Sequence, residues 1–363
     1  MEIQTHFSGL SHHQILSLDR NYEKAAKTVR LSYVNDAMPG ITRVKKGRGF
    51  VYFDSSKRIM NSDQLQRIKK LAIPPAWTEV WICSKENGHI QATGYDLRKR
   101  KQYRYHELWN AARNETKFHR LYEFGKALPV LRTRLQEDLN KKTLCREKVL
   151  ATVISVMECT SIRIGNEDYE KRYGSYGMTT LKDGHVQING SEVKFSFVGK
   201  KSIAHTVTLK NKRLARIVKQ CRDIPGKELF QYYDENGVRH PIDSGMVNDY
   251  IKQASQSEFT AKDFRTWAGS LNLLQYLRET GEPDSDAVCK KNILAALDYV
   301  SAKLGNTRTV CRKYYVHPHL IKLYESKSLI KYFHSVSIDL DETEYALASE
   351  EKVLMKILKS LNG

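Results

Sequence analysis

Two adjacent tyrosines, Tyr314 and Tyr315, stand in the stretch Gly305-Asn-Thr-Arg-Thr-Val-Cys-Arg-Lys-Tyr-Tyr-Val-His-Pro318, between a polar, basic run and a His-Pro. A phenol has an ordinary pKa of about 10, so a tyrosine that attacks anything near neutrality needs cationic neighbours and a target whose developing charge is stabilised. Taken alone, the pair reads as an aromatic face of a helix. Four other residues supply possible partners: Arg163, Lys200, Arg265 and Asn306. Each has a plainer use. Arg163, just before Gly165, could satisfy carbonyls at a helix end. Lys200 could be a solvated lysine at a hairpin tip. Arg265, beside Trp267, needs an anion wherever it is buried.

Set together, these five residues are the types that exchange at a phosphodiester requires. The nucleophile adds in line to phosphorus, and the pentacoordinate state places extra negative charge on two non-bridging oxygens. Two arginines meet that charge with forked donors, and the Asn306 amide adds one more hydrogen bond. The departing ribose oxygen is alkoxide-like, so a lysine acting as general acid lowers the barrier. Because one phosphodiester replaces another, bond energy is kept, and neither ATP nor metal is required.

The elements that must position these residues fall into two parts. Residues 1–112 read as a small β-rich domain. A helical pattern from Ile15 to Val29 ends at Pro39-Gly40, and strand-type residues from Ile41 to Phe53 surround a basic glycine turn. Lys45, Lys46 and Arg48 at that tip are candidate phosphate contacts. Leu71 to Trp77 is a rigid connection, and strands at 79–83 and 89–95 meet at Asn87-Gly88, a hairpin signal. If Gln102 to His106 is extended, Gln102, Arg104 and His106 share one face, and Tyr103 and Tyr105 the other. Either face can lie in a groove of DNA, with charge for the backbone and Gln or Tyr for base edges.

Residues 113–363 read as a larger, mostly α-helical domain, with helical text from Phe118 through Leu128, Leu131, Leu135 and Leu139, then Val149 to Met157. Within it, Met178 to Leu209 alternates as a three-stranded antiparallel sheet, with turns at Lys182-Asp-Gly184, Asn189-Gly190 and Gly199-Lys200-Lys201. Thr260 to Asp263 has the spacing of a helix N-terminal cap, which places Arg265 in the first turn or two. One or two helices follow residue 319. The fold class is α+β.

Composition bounds the partners. Lys plus Arg is 60 against 41 Asp plus Glu, a net charge of +19, and residues 1–112 hold 19 basic and 10 acidic side chains. Such an excess points to a polyanion, nucleic acid or an anionic membrane surface. The longest apolar run, near Val149 to Met157, is too short to span a bilayer, and the N-terminus lacks a signal-peptide core, so no membrane association is expected. Six dispersed cysteines form no C-x-x-C pair and read as reduced cytosolic thiols. No P-loop motif occurs, and Asp284-x-Asp286 and Asp339-x-Asp341 read as solvated acids rather than metal ligands. No cofactor is expected.

The motifs Ile162-Arg-Ile-Gly165, Phe197-Val-Gly-Lys200, Lys262-Asp-Phe-Arg-Thr266 and Leu304-Gly-Asn306, with Tyr315-Val-His-Pro318, resemble those of the poxvirus-type and bacterial DNA topoisomerases of type IB. The resemblance extends upstream to Gly47-Arg-Gly-Phe50, Ile73-Pro-Pro-Ala-Trp77 and Gln102-Tyr-x-Tyr105, and so reaches most of the chain to about residue 320. It implies a C-shaped clamp around double-stranded DNA, a monomer, and relaxation of supercoils through a 3′-phosphotyrosyl link. By motif position, Tyr315 is the nucleophile, Arg163 and Arg265 hold the scissile phosphate, Lys200 is the general acid, and Asn306 stands where viral members have His. Gln102, Tyr103 and Tyr105 match DNA-contacting positions. The protein is then cytoplasmic and DNA-associated, in a nucleoid or a viral factory. Arg308 departs from the proline of many relatives, and Asn166 and Asp168 from the lysines of the viral members. A tyrosine recombinase is the nearest alternative, although such enzymes usually carry His-x-x-Arg where this chain has Lys262-x-x-Arg265. A non-enzymatic basic DNA-binding protein is the alternative of a different class.

Overall fold

Short polar caps start the first helices of the chain. Ser11 and Asn21 accept hydrogen bonds from the Gln14 and Lys24 backbone N–H groups and so open α1 (His12–Arg20) and α2 (Tyr22–Thr28). In a computed structural model, which describes residues 10–55, 57–97, 99–333 and 346–361, the backbone divides into two units, one up to Arg120 and one from Leu121 to Leu361.

The first unit is built on a six-stranded antiparallel sheet. Its strands are β1 (Ile41–Lys46), β2 (Gly49–Asp54), β3 (Lys57–Arg58), β4 (Thr78–Ile82), β5 (Ile90–Tyr95) and β6 (Lys101–Tyr105), in the order β3-β2-β1-β4-β5-β6. Helix α3 (Ser62–Lys70) inserts between β3 and β4. Ile41, Ile59, Ile68, Val80, Ile82 and Ala92 bury one another as the apolar core of this sheet. The β1–β2 turn falls at Gly47, whose φ of 58° suits glycine. The β4–β5 connection differs from a tight Asn87-Gly88 hairpin. It spans residues 83–89, because Ser32 pairs with Gly88 and draws the chain out of the ladder.

A single helix, α4 (Glu107–Leu139), follows β6. It starts well before Phe118, since Trp109 and Ala112 are buried against Ile15, Leu18, Ala25, Ala26 and Val29. The polar text at 113–117 conceals this, and the expected domain boundary at 112 lies inside a continuous helix.

The second unit packs around α5 (Arg146–Thr160), which is apolar on nearly every side from Val149 to Met157 and is correspondingly buried. Around it stand α6 (Glu167–Tyr173), α7 (Lys212–Arg222), α8 (Ser244–Ser255), α9 (Ala261–Thr280), α10 (Asp286–Leu304), α11 (Arg308–Tyr314), α12 (Pro318–Glu325) and α13 (Ser349–Ser360). A three-stranded antiparallel sheet, β7 (Val186–Asn189), β8 (Glu192–Val198) and β9 (Ala204–Lys210), contributes Val193, Phe195 and Leu209 to the same core. Met178 to Thr180 is a short 3-10 turn rather than strand. A two-stranded ribbon, β10 (Gln231–Tyr233) with β11 (Arg239–Pro241), completes the elements. Along α10, Cys289, Ile293, Ala296, Leu297, Val300 and Leu304 form a buried stripe at helical spacing, which fixes where that helix ends.

Candidate active site

That helix end is the hub of the site. Gly305 closes α10 in the left-handed region, with φ 57°, and turns the chain so that Leu304, Gly305 and Asn306 present their polar groups to neighbouring elements. Three side chains from distant sequence converge there. Arg163 donates from Nη2 to the Gly305 carbonyl at 3.0 Å and to Asn306 Oδ1. Arg265, only 5% exposed, donates from Nη2 to the Leu304 carbonyl at 2.7 Å and from Nη1 to the Ser161 carbonyl. The His205 ring lies against Gly305.

Each arginine is delivered by a different device. Ser161, with φ 56°, ends α5 in the left-handed region, and the chain leaves the helix carrying Arg163 two residues on. Gly165 is therefore not the helix cap, and Arg163 serves the Gly305 turn rather than the end of α5. Arg265 sits in the second turn of α9, whose start is fixed by a reciprocal cap. The Thr260 backbone N–H donates to Asp263 Oδ2 at 2.8 Å.

Neither Arg163 nor Arg265 meets a carboxylate among the described residues. Burial pushes both guanidiniums below their ordinary pKa, and for Arg265 the adjacent Arg163 charge adds to the effect while the Tyr315 side chain opposes it. Two cations held together by carbonyls alone form a region of strong positive potential. Arg265 Nε and Asn306 Nδ2 are also buried with no hydrogen-bond partner. Buried donors without acceptors are costly, and an anion lying between them would satisfy both.

Tyr315 borders this region. It caps α11, its N–H donating to the Cys311 carbonyl at 2.9 Å, and the Arg265 guanidinium carbon lies 5.3 Å from the centre of its ring. One face of α9 holds its backbone. Gly269 permits close approach, since a Cβ there would lie 2.5 Å from the Tyr315 carbonyl oxygen, and Ser270 Oγ donates to that oxygen at 3.4 Å while accepting from His317 N–H at 3.0 Å. Burial pushes the Cys311 thiol up to about 11, which keeps it neutral beside Asn306. Tyr314 is the last residue of α11 and is exposed, with Lys313 Nζ 5.4 Å from its ring centre.

Lys200 is placed differently. It begins the tip of the β8–β9 hairpin, is exposed, and its Nζ lies 5.5 Å from the centre of the Tyr169 ring. The structure thus joins Arg163, Arg265, Asn306 and Tyr315 through direct contacts and holds Lys200 on a separate loop. Sequence reasoning missed His205, Gly269 and Ser270. A histidine in an alternating strand and a Gly-Ser pair within a helix carry no local signal of what crosses them.

The departures at Arg308, Asn166 and Asp168 have structural uses. Arg308 is the first residue of α11 and forms a bidentate pair with Asp298, both contacts at 2.6 Å. That first position is also one that proline favours. Asn166 caps α6, accepting from Tyr169 N–H at 3.2 Å, and Asp168 lies in the helix's first turn, where an acid is favourable.

Of the candidate DNA contacts in the first unit, Lys45, Lys46 and Arg48 are exposed around Gly47. Tyr103 and Tyr105 share the exposed face of the edge strand β6 and stack, with ring centres 5.7 Å apart. Gln102 points the other way and donates to Asp96 Oδ2 at 3.0 Å, so its amide is engaged within the protein. Among the described residues no cluster of His, Cys, Asp and Glu could hold a metal ion, and no helix is long and apolar enough to cross a membrane. Asp339 and Asp341 lie outside the described residues.

A tyrosine beside a buried and a half-buried arginine, neither paired with a carboxylate, defines a site suited to covalent exchange at a phosphodiester. The catalytic core of eukaryotic DNA topoisomerase I matches residues 99–337, and the N-terminal domain of bacterial DNA topoisomerase IB matches residues 49–96. DNA topoisomerase 1B of Acanthamoeba polyphaga mimivirus is 35% identical over 298 residues, 80% of this chain and 88% of that protein. DNA topoisomerase 1B of vaccinia virus (strain Copenhagen) is 22% identical over 251 residues, 68% and 76% of the two chains. The chain belongs to the type IB DNA topoisomerase family. A solved XerH site-specific recombinase, bound to its palindromic difH substrate, is similar at a TM-score of 0.35 with 14% identity, covering 55% of this chain and 51% of that one.

Proposed function

We propose that the protein relaxes supercoiled duplex DNA by cutting one strand at a time, with Tyr315 as the nucleophile. The phenol gives up its proton to solvent as its oxygen attacks a backbone phosphorus in line, the P–O5′ bond breaks, and the 3′ end is left as a phosphotyrosyl ester while the 5′-OH end rotates. Lys200 protonates the departing O5′ once DNA draws the hairpin tip to it. Arg163, Arg265 and the Asn306 amide hold the non-bridging oxygens as their charge grows. Religation is the reverse step, with the 5′ oxygen as nucleophile and the phenol as leaving group. The two units act as a C-shaped clamp: residues 1–112 bind DNA through Lys45, Lys46, Arg48, Tyr103 and Tyr105, and residues 113–363 carry the chemistry. A monomer suffices, and it works wherever the cell or virus keeps its DNA in the cytoplasm.

The observation that carries this reading is the carboxylate-free arginine pair, Arg265 buried and Arg163 half-buried, with Tyr315 at its edge and the Arg265 Nε and Asn306 Nδ2 donors buried without partners. The test is trapping on a duplex nicked so that the fragment bearing the new 5′-OH dissociates after cleavage, followed by mapping of the modified residue. The adduct is expected on Tyr315, and Tyr315→Phe is expected to bind DNA yet yield no adduct. A label on Tyr314, or on no residue, overturns the assignment. Relaxation of a plasmid by this protein alone, without magnesium or ATP, distinguishes it from recombination at paired sites.

A further inference from the structure

His205 lies on β9, five residues beyond Lys200, and its ring is wedged between two glycines that each precede a residue of the site. A Cβ at Gly199, the residue before Lys200, would lie 2.6 Å from His205 Cδ2 and 2.7 Å from Nε2. A Cβ at Gly305, the residue before Asn306, would run into His205 Cε1. The opposite edge of the ring stacks on Phe197, with centres 5.2 Å apart and planes 13° apart. Packing rather than hydrogen bonding holds the ring, because Nε2 is buried with no partner. Burial, then the Arg163 and Arg265 charges, push its pKa below the ordinary value, so the ring stays neutral and fits between the backbones without adding charge.

The loop that His205 braces is otherwise poorly determined. Lys201 and Ser202 both adopt positive φ, 64° and 58°, a conformation unfavourable for residues with a Cβ. The closing contact is a hydrogen bond from Gly199 N–H to the Ile203 carbonyl at 2.8 Å. Lys200 itself is exposed and its Nζ lies over the Tyr169 ring on α6, so its side chain makes no link of its own to the Gly305–Asn306 turn. From this we infer that His205 is a positioning residue for the strand-exchange reaction: its ring ties the backbone of the Lys200 hairpin to the Gly305–Asn306 turn and so sets where the general acid stands relative to the phosphate. The inference rests on the assignment of Lys200 as the acid that protonates O5′.

Chemistry at the leaving group separates this role from a merely structural one. With an ordinary phosphodiester, the P–O5′ bond breaks with a proton moving from Lys200 to O5′. With sulfur in place of O5′, the group leaves as a stable thiolate and needs no proton. Single-turnover cleavage by the full chain is measured on both duplexes for wild type, Lys200→Ala, His205→Ala and His205→Phe, alongside duplex binding and thermal unfolding. His205→Ala is expected to cleave the oxygen substrate about 10–100-fold slower, the scale of a small misplacement of a catalytic group, and to recover most of that loss on the sulfur substrate, as Lys200→Ala does. His205→Phe keeps the wedge and is expected to recover most of the lost rate on the oxygen substrate. If His205→Ala is equally slow on both substrates while Lys200→Ala is rescued, or if His205→Phe is as slow as His205→Ala, the inference is wrong and the Lys200 assignment stands. If neither alanine variant is rescued, the Lys200 assignment falls and takes the inference with it.

Discussion

Two arginines share one small region with no carboxylate beside them, so this is where residue-level function and stability pull apart. Arg265 gains two carbonyl acceptors but pays burial and repulsion from Arg163. Replacing it with glutamine removes a donor from the phosphate and relieves a buried like-charge contact at once. Arg265→Gln is therefore expected to lose about 10²–10³-fold in single-turnover cleavage while its melting temperature stays within about 4 °C, roughly 1 kcal/mol, of wild type. A calorimetric scan beside the cleavage assay checks both halves, and a large fall in melting temperature would show that Arg265 is mainly structural. Tyr315, Arg163, Lys200, Arg265 and Asn306 could be picked out as candidates in sequence because the proposed chemistry requires particular residue types within ordered motifs, and the structure brings all but Lys200 together. His205 and Ser270 could not be picked out, since each acts through a contact made across more than one element. Arg308 became intelligible only once Asp298 appeared opposite it, ten residues back along the chain and on another helix.

At the scale of elements, helix ends place the chemistry. Ser161, the Thr260–Asp263 cap and Gly305 place Arg163, Arg265 and Asn306 respectively, and only the Thr260–Asp263 cap was legible from spacing. Left-handed termination at Ser161 has no glycine to announce it, and Gly165 drew the expectation away. The start of α4 was hidden for a related reason, since its apolar contacts are with helices far upstream. Gly269 shows what such close packing demands. A methyl group there meets the backbone oxygen of Tyr315 at 2.5 Å, which has no flexible end to yield. Gly269→Ala is expected to lower stability by about 1–3 kcal/mol and to slow cleavage by shifting Tyr315, as urea unfolding and single-turnover assays would report. The α4–α8 contact carries a pH signature of its own. Asp138, buried on α4, accepts from Tyr250 at 2.6 Å and pairs with Lys141 at 2.8 Å and Arg134 at 3.1 Å. Burial pushes its pKa up, but the Lys141 and Tyr250 hydrogen bonds and the two cations outweigh it, and the net direction is down. An acid depressed in the folded state contributes stability above its unfolded pKa, about 3.9, and loses it as pH falls through the folded value. Asp138→Asn is expected to be less stable by about 1–3 kcal/mol at neutral pH, with the gap to wild type narrowing below about pH 4. A gap that stays constant down to about pH 2.5, near the lower end of carboxylate titration, would rule the charge out as its source.

For the whole molecule, the governing quantity is the net charge of +19 and where it lies. Residues 1–112 hold 19 basic and 10 acidic side chains, yet many of these cations are engaged internally. Arg43 donates to the carbonyls of Ile73, Pro74 and Trp77, and Arg67 to Gln91 and the Cys83 carbonyl. Lys45, Lys46 and Arg48 differ, being exposed together at the β1–β2 turn with no acid paired to them among the described residues. Cations that neutralise phosphates release counterions, and each contributes about −0.9 to the slope of log affinity against log salt. Cations that merely sit on the surface contribute nothing to that slope. The variant carrying Lys45→Gln, Lys46→Gln and Arg48→Gln is therefore expected to bind duplex more weakly at low salt, with a slope shallower by about 2–3. Equilibrium binding to one duplex, titrated from about 50 to about 200 mM salt, measures that difference directly. Parallel lines for the variant and wild type would mean that the turn does not touch the DNA backbone, and that the first unit grips its partner through the Tyr103–Tyr105 face instead.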